Sequence, residues 1–546
     1  MRSLQGDLHE DLGVVLGKLF RRGEFNSLPS PSATLNSKDM TNILASGGRA
    51  LVSDFWGRYV AFLHTAAGST LVLRDPSGAL PCFRIRHQGV SIIFSWLEDA
   101  LQMLGHVEPR SVNWHVLTAQ ILRGPLGGRE TALEGVSQVL PGEVIALHDG
   151  VSTLLWNAVE IARSPSAYGV DEATQLLGQT VRSCVRAWAS CYDTLLLRLS
   201  GGVDSSILLS CLAADRTQAD VICVNYHSPG SNSDERLYAR LAAVRVGRDL
   251  LERERDSGFR IDRILQMACM PDPVPYVGWM NASTDARLAS AYVAPAMFTG
   301  AGGDALFYEI PRWWPAADYL QNKGLDASFA AAAIDAARLG KVSVWRAVGL
   351  ALKERVRPNL AARAPRGPAA LLAPGFLRGQ IEQPCFAHPA LRDSNQLPIG
   401  KCMQTLALMH PLGYYDPFEQ AAAPELIHPL FSQPLVELSL RLPTYLLTQG
   451  GHGRAMARRA FASDLPPQIA SRRSKGGMEE HIKAVLHANI DFVRGLLLEG
   501  ELNRRGMLAR TKVEELLSGR PTALPGPVSQ IHGLVAVEAW LSRWTR

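Results

Sequence analysis

The chain has 546 residues, 47% of them apolar and 20% charged, with a formal net charge of +5. That length exceeds what one hydrophobic core serves, so roughly two to four domains are expected. The composition excludes a disordered chain, and the absence of a basic run interleaved with aromatics argues against a nucleic-acid partner. No window of about twenty uncharged apolar residues occurs, and the opening MRSLQGDLHEDLG has no apolar signal-peptide core. A cytoplasmic protein with no membrane segment is therefore expected. Eight scattered cysteines without a CxxC pair point to neither a zinc site nor a disulfide framework, and most read as small buried hydrophobes.

The first part of the chain is β-rich, with short apolar runs at 58–63 (RYVAFL), 69–73 (STLVL) and 90–94 (VSIIF) broken by glycine and proline turns. The passage GRYVAFLHTAAGSTLVLRDPSGALPCFR, 57–84, resembles the glutaminase domain of asparagine synthetases. TALEGVSQVLPGEVIAL, 131–147, resembles that domain's closing segment. Such glutaminases use an N-terminal cysteine freed by removal of the initiator methionine as nucleophile and base. Here Met1 is followed by Arg2, and the first cysteine is Cys82. The resemblance thus implies an α+β, Ntn-like glutaminase domain over 1–160 that is degenerate and kept for structure or for docking a partner.

From there the pattern alternates helical and short apolar segments, which implies a parallel sheet with crossover helices. A helix is expected over 171–189. TLLLRLSGGVDSSILLSC, 194–211, then reads as a strand, a tight glycine turn and a helix start. The glycines permit unusual backbone angles and close approach of a ligand, and the helix start offers unpaired N–H groups to an anion. Neither GxxxxGK[ST] nor GxGxxG spacing is present here. The turn resembles the SGGxDS pyrophosphate loop of ATP pyrophosphatases. That likeness implies an α/β doubly wound synthetase domain over 161–546, with Leu199, Ser200, Gly201, Gly202, Asp204 and Ser205 around the phosphates of ATP.

A second strand is expected over 220–226; strand ends in such sheets meet the ligand, which places Val224 and Asn225 near the adenine or ribose. In 233–246 (SDERLYARLAAVRV), Leu237, Leu241 and Val244 recur at helical spacing, and Asp234 and Glu235 read as N-terminal stabilisers of that helix. AMFTGAGGDALF, 296–307, is another strand entering a glycine turn. It resembles the SGxGGDxxF loop of asparagine synthetases, which faces the first loop across the nucleotide. The resemblance gives Gly302 and Gly303 to the nucleotide, and Asp204 with Asp304 to a magnesium ion, a cation that takes few carboxylates plus phosphate oxygens.

Asparagine synthetases place a glutamate after that aspartate, where this chain has Ala305. FYEIPRWWPAADYL, 307–320, and HPLFSQPLVELSLRLP, 428–443, resemble the lasso-peptide cyclases of the same family, with Ser432 where the synthetases carry an aspartate. A helical region is expected over 327–339, and the prolines of 355–374 favour a loop or lid. LPPQIASRRSKGGMEEH, 465–481, resembles the family segment whose lysine enters the active site. Lys475 is therefore the expected catalytic cation, with Arg472 and Arg473 as secondary candidates.

These resemblances imply a lasso-peptide macrolactam synthetase that uses ATP and magnesium. It would adenylate an Asp or Glu side chain of a ribosomal precursor core peptide and join it to that peptide's N-terminal amine. A leader peptidase and a leader-recognition protein are the expected partners. Alternatives are an asparagine synthetase-like or β-lactam synthetase-like ligase of a small substrate, a PP-loop tRNA-modifying enzyme, and a non-catalytic ATP-binding scaffold. Tyr308, Glu309 and the histidines are the candidates for deprotonating the amine.

Overall fold

The computed structural model describes residues 12–545, apart from 24–32, 66–67, 106–110, 125–126, 215–218, 229–233, 359–368, 379–385, 410–416, 420, 474–475 and 519–528. Its first eight strands are β1 (Gly13–Arg21), β2 (Phe55–His64), β3 (Thr70–Arg74), β4 (Phe83–His87), β5 (Val90–Phe94), β6 (Val136–Gln138), β7 (Glu143–Ala146) and β8 (Ser152–Leu154). They form two antiparallel sheets, of order β1-β2-β3-β7-β8 and β5-β4-β6. Val60, Val72, Cys82, Val139 and Ile145 make a small core that draws on both sheets. Burial pushes the Cys82 thiol up to about 12, so this cysteine is a packing residue and not a thiolate.

Strands β9 (Thr194–Arg198), β10 (Asp220–His227), β11 (Leu250–Glu254), β12 (Ala296–Phe298) and β13 (Glu425–Ile427) form a wholly parallel sheet of order β11-β10-β9-β12-β13. Leu195, Leu196, Leu197, Met297 and Phe298 are fully buried, as both-face-covered parallel strands require. Helices α1 (Val170–Ala189), α2 (Val203–Ala214) and α3 (Arg236–Arg245) flank this sheet. The antiparallel region is joined to it by one continuous apolar core: the rings of Phe20 and Trp56 meet tilted and both pack edge-on to Trp188 of α1, with centroids 4.6 to 6.1 Å apart. Arg22 reinforces the contact through a bidentate pair with Glu437 at 2.7 and 2.8 Å.

Beyond β12 come the short α4 (Gly303–Leu306) and three helices, α5 (Trp314–Lys323), α6 (Phe329–Gly340) and α7 (Val344–Val356), that share a core of their own. Further on, α8 (Ile399–Leu408) and α9 (Gln433–Arg441) support α4, and α10 (Ala455–Ala460) packs on α1. The last long helices, α11 (Ile490–Leu498) and α12 (Ser529–Trp544), return to the antiparallel region, where Val493, Leu497, Leu534 and Trp540 join Phe83, Ile85 and Leu97 in one cluster. Among the described residues no helix is long and apolar enough to cross a membrane.

Helix α3 forms within the expected 233–246, but its apolar spacing does not mark its buried face. Leu237 and Val244, spaced as a buried stripe, are 62% and 77% exposed, whereas Ala239, Ala242 and Ala243 face the core. The reason is distance: the backbone nitrogen of Ala239 comes so near Gly201 that α3 meets the sheet through its smallest side chains.

Candidate active site

Both glycine turns leave adjacent parallel strands. β9 pairs with β10 on one side and β12 on the other, so the chain order reverses between β9 and β12, where the carboxyl ends of an open sheet form a ligand crevice. The first turn is internally cross-linked. The Ser205 hydroxyl accepts from the Ser200 N–H at 3.2 Å and lies 3.1 Å from the Ser200 hydroxyl, which accepts from the Gly202 N–H at 3.3 Å. Gly201 has φ of +77°, and a Cβ there would lie 2.6 Å from the Ala239 nitrogen, so no other residue fits. Leu199 is buried; its N–H donates to the Val224 carbonyl, and its carbonyl accepts from Asn225 Nδ2 at 2.7 Å. Asn225 is thus a brace for the loop. Val224 points its side chain into the core with Leu196, Trp279 and Met297 and presents none of it to the crevice.

The second turn presses against the first. A Cβ on Gly303 would stand 2.5 Å from the Asp204 carboxyl carbon, one on Gly300 would stand 2.9 Å from the Ser205 nitrogen, and one on Gly302 (φ +88°) would meet Phe431 at 2.9 Å. This close approach carries Asp204, in the first turn of α2, and Asp304, in the first turn of α4, to one guanidinium. Arg454 Nε and Nη2 donate to Asp204 at 2.8 and 3.0 Å, Nη2 also donates to Asp304, and Nη1 lies 2.5 Å from Glu309. Burial works against the charge on Arg454, but Asp204, then Asp304 and Glu309, raise its pKa above the ordinary arginine value. Its backbone is left-handed, with φ of 55°, and a Cβ on the preceding Gly453 would collide with Glu309.

Arg454 is the residue that sequence reading missed. Its signal, a Gly-Arg pair in GHGRAMARRA, has no periodicity and acquires meaning only through the fold. Glu235 carries a second role that sequence reading missed as well. It stands at the N-cap of α3 as expected, but its side chain makes no cap hydrogen bond; it pairs with Arg472 at 2.6 Å and accepts from the Gly476 N–H at 2.9 Å. Arg472 also stacks on Tyr238 at 3.9 Å, and Arg458 donates to the carbonyls of Ile469, Ala470 and Arg472. Lys475 lies outside the described residues, yet the chain on both sides of it, at Arg472 and Gly476, is tied to the Glu235 carboxylate. Arg473 is exposed and sits 3.4 Å from His452.

The proposed proton acceptors fare differently. Tyr308 is fully buried in a left-handed conformation, and burial raises its phenol well above 10.0. His428 is buried against Thr299 at 2.6 Å and pushed down to about 3, so it stays neutral. Ser432, at the position of the synthetase aspartate, accepts from the Trp188 indole at 3.0 Å and is structural. Among the described residues no three acidic, histidine or cysteine side chains gather into a self-sufficient metal cage. Asp204 and Asp304 converge on one spot, where Arg454 holds both; a magnesium ion completed by phosphate oxygens would fit the pair by drawing them from that guanidinium.

A parallel sheet with two glycine turns meeting at its switch point defines an α/β ATP-pyrophosphatase domain. The Asparagine synthase family matches residues 172–542, well over half of the chain, and the protein belongs to that family. It is accordingly an ATP-dependent amide-forming ligase. No curated protein matches the chain. A solved structure of glutamine-dependent NAD+ synthetase from Acinetobacter baumannii, in complex with ADP, matches at 12% identity over 58% of this chain and 83% of that one. Its TM-score is 0.18, at which the likeness carries no weight.

Proposed function

We propose that the protein is a macrolactam synthetase acting on a ribosomal precursor peptide. The observation that carries the nucleotide chemistry is the meeting of Asp204 and Asp304 on Arg454 Nη2, beside the N–H groups that open α2. In the proposed reaction an Asp or Glu carboxylate of the core peptide attacks the α-phosphorus of ATP and pyrophosphate departs. The peptide's N-terminal nitrogen then attacks the acyl carbon, the bond to AMP breaks, and the amine gives up a proton. Asp204 and Asp304 would hold magnesium, which neutralises pyrophosphate charge when bound. Ser200 to Ser205 orient the phosphates, Lys475 supplies a cation, and the interlocked loops exclude water from the acyl centre.

The peptide substrate is supported by the resemblance of 307–320 and 428–443 to the cyclases and by Cys82 being sealed inside the antiparallel region. That region, over about 1–160, is read as a degenerate glutaminase fold set on the synthetase domain of 161–546. It offers a surface to a leader peptidase or leader-recognition protein.

The test is release of pyrophosphate and AMP from magnesium ATP, with mass spectrometry of the acceptor. A leader-cleaved peptide with an N-terminal glycine and an internal Asp or Glu should stimulate release and lose one water. Turnover of free aspartate with ammonia, and none of the peptide, would replace this reading with an asparagine synthetase.

A further inference from the structure

Helix α7, capped by the Ser343 hydroxyl accepting the Arg346 N–H at 3.2 Å, is apolar on the wrong side as well as the right one. Its inner face is Ala347, Ala351 and Glu354, all buried against α5 and α6. Its outer pole carries Trp345, Leu352 and Val356, which are 85%, 42% and 77% exposed. With Gly349 between them these residues follow the alternating four-three spacing of a coiled-coil seam. Nothing lies within 4 Å of where a Gly349 side chain would stand, so the seam has an open hole between its knobs. Along one flank run Arg346 and Lys353, both exposed and without an ion pair among the described residues. The other flank's cation, Arg355, donates instead to the Leu320 carbonyl at 2.7 Å.

We infer that this seam docks an amphipathic helix of a partner protein whose apolar stripe is bordered by acidic residues. The cations that border the stripe, with Arg346 and Lys353 on one flank and Arg355 on the other, fix the charge of the partner, and the spacing with a hole at Gly349 fixes its shape as a helix with one large apolar knob. A second copy of the chain does not fit: antiparallel pairing sets Arg346 and Lys353 against themselves, and parallel pairing sets them against Arg355. The sequence that follows, NLAARAPRGP, has arginines and no acid, so it cannot supply the complement either. A membrane surface would call for a broader apolar face with free cations on both borders. Because α5 follows directly on the Asp304 loop and packs on α7, the docked helix would sit on the helical layer that leads away from the active site.

The probes are two synthetic fluorescein-labelled helices with leucine at both seam positions, flanked throughout by Glu in one and by Lys in the other. Anisotropy with the full chain should show the Glu-flanked helix binding at least about tenfold more tightly than the Lys-flanked one. Reversing the row with Arg346→Glu and Lys353→Glu should invert that preference. Trp345→Ser with Leu352→Ser should abolish binding while circular dichroism stays unchanged. No binding of the Glu-flanked helix at millimolar concentration would overturn the inference, as would equal binding of both helices. Two further outcomes would do the same: co-sedimentation with phosphatidylglycerol vesicles without helix discrimination, or a dimer in light scattering that the Trp345→Ser, Leu352→Ser chain does not form.

Discussion

The two glycine turns meet at Asp204 and Asp304, but they are held there by different means. The first is braced by its own neighbours: Ser200 and Ser205 bond to each other, and Asn225, one strand away, grips the Leu199 carbonyl. The second is suspended from distant parts of the chain. Gln404 donates to the carbonyls of Ala305 and Leu306 at 3.0 and 3.3 Å, Ser439 donates to Leu306 at 2.5 Å, and His428 meets Thr299. Behind them the buried Lys401 ammonium spends its donors on Gln404 at 2.6 Å, Ser439 at 3.0 Å and Leu442 at 2.6 Å. Beside it Asp318, pushed up to about 6 by burial, takes the N–H groups of Gly400 and Lys401 and the Thr444 hydroxyl. A locally braced turn keeps its shape when remote contacts are lost; a suspended one does not.

The contrast can be broken from either end. Asp204→Asn or Asp304→Asn should each lower pyrophosphate release by about 10³-fold, since each removes a charge where the reaction needs it; a similar effect from both turns shows that they converge on one function. Lys401→Met should cost about 3 kcal/mol in urea unfolding, because it strands buried acceptors and leaves Asp318 without its cation. Gly303→Ala pushes a methyl into the Asp204 carboxylate and should cost about 1–3 kcal/mol, while Gly202→Ala, whose Cβ meets only the Ser200 hydroxyl at 3.4 Å, should cost much less in the same assay.

Acid should loosen the suspended turn. His428 is held neutral, with its folded pKa about 3 against an unfolded value near 6.5, so the unfolded chain takes up the proton first. Stability present above pH 6.5 is lost as pH falls, by about 2 kcal/mol at pH 5 from this group alone. Comparing urea midpoints at pH 7 and pH 5, His428→Asn should remove that increment. The smallest effect is expected from Tyr308→Phe. Its hydroxyl is sealed from solvent and has no hydrogen-bond partner among the described residues, so kcat should stay within about twofold; a loss of about 10² would restore it as the proton acceptor.

The same contrast explains what could be read in advance. The first turn, the strands β9, β10 and β12, and helices α1 and α2 follow from short-range patterns: apolar runs, glycines and caps. The aspartate of the second turn was legible as a residue type beside its glycines. What carries it to Asp204 was not, because Gln404, Ser439 and Arg454 lie on other elements and are ordinary polar residues until the chain folds. Helix α3 forms where expected, but its buried face was illegible for a related reason. Its leucine spacing promised a buried face, but the closeness of Gly201 admitted only alanines, and close approach leaves no periodic mark in the sequence.

The sharing of one apolar cluster by α12, Phe83 and Ile85 has a consequence in time. The strand β4 leaves the ribosome early, yet part of the cluster that holds it is supplied by α12, made far later in the chain. At ordinary synthesis rates that interval is on the order of tens of seconds. Throughout it the three-stranded sheet lacks part of its cover, so a nascent chain stalled before α12 offers chaperones and proteases a surface that the finished protein hides.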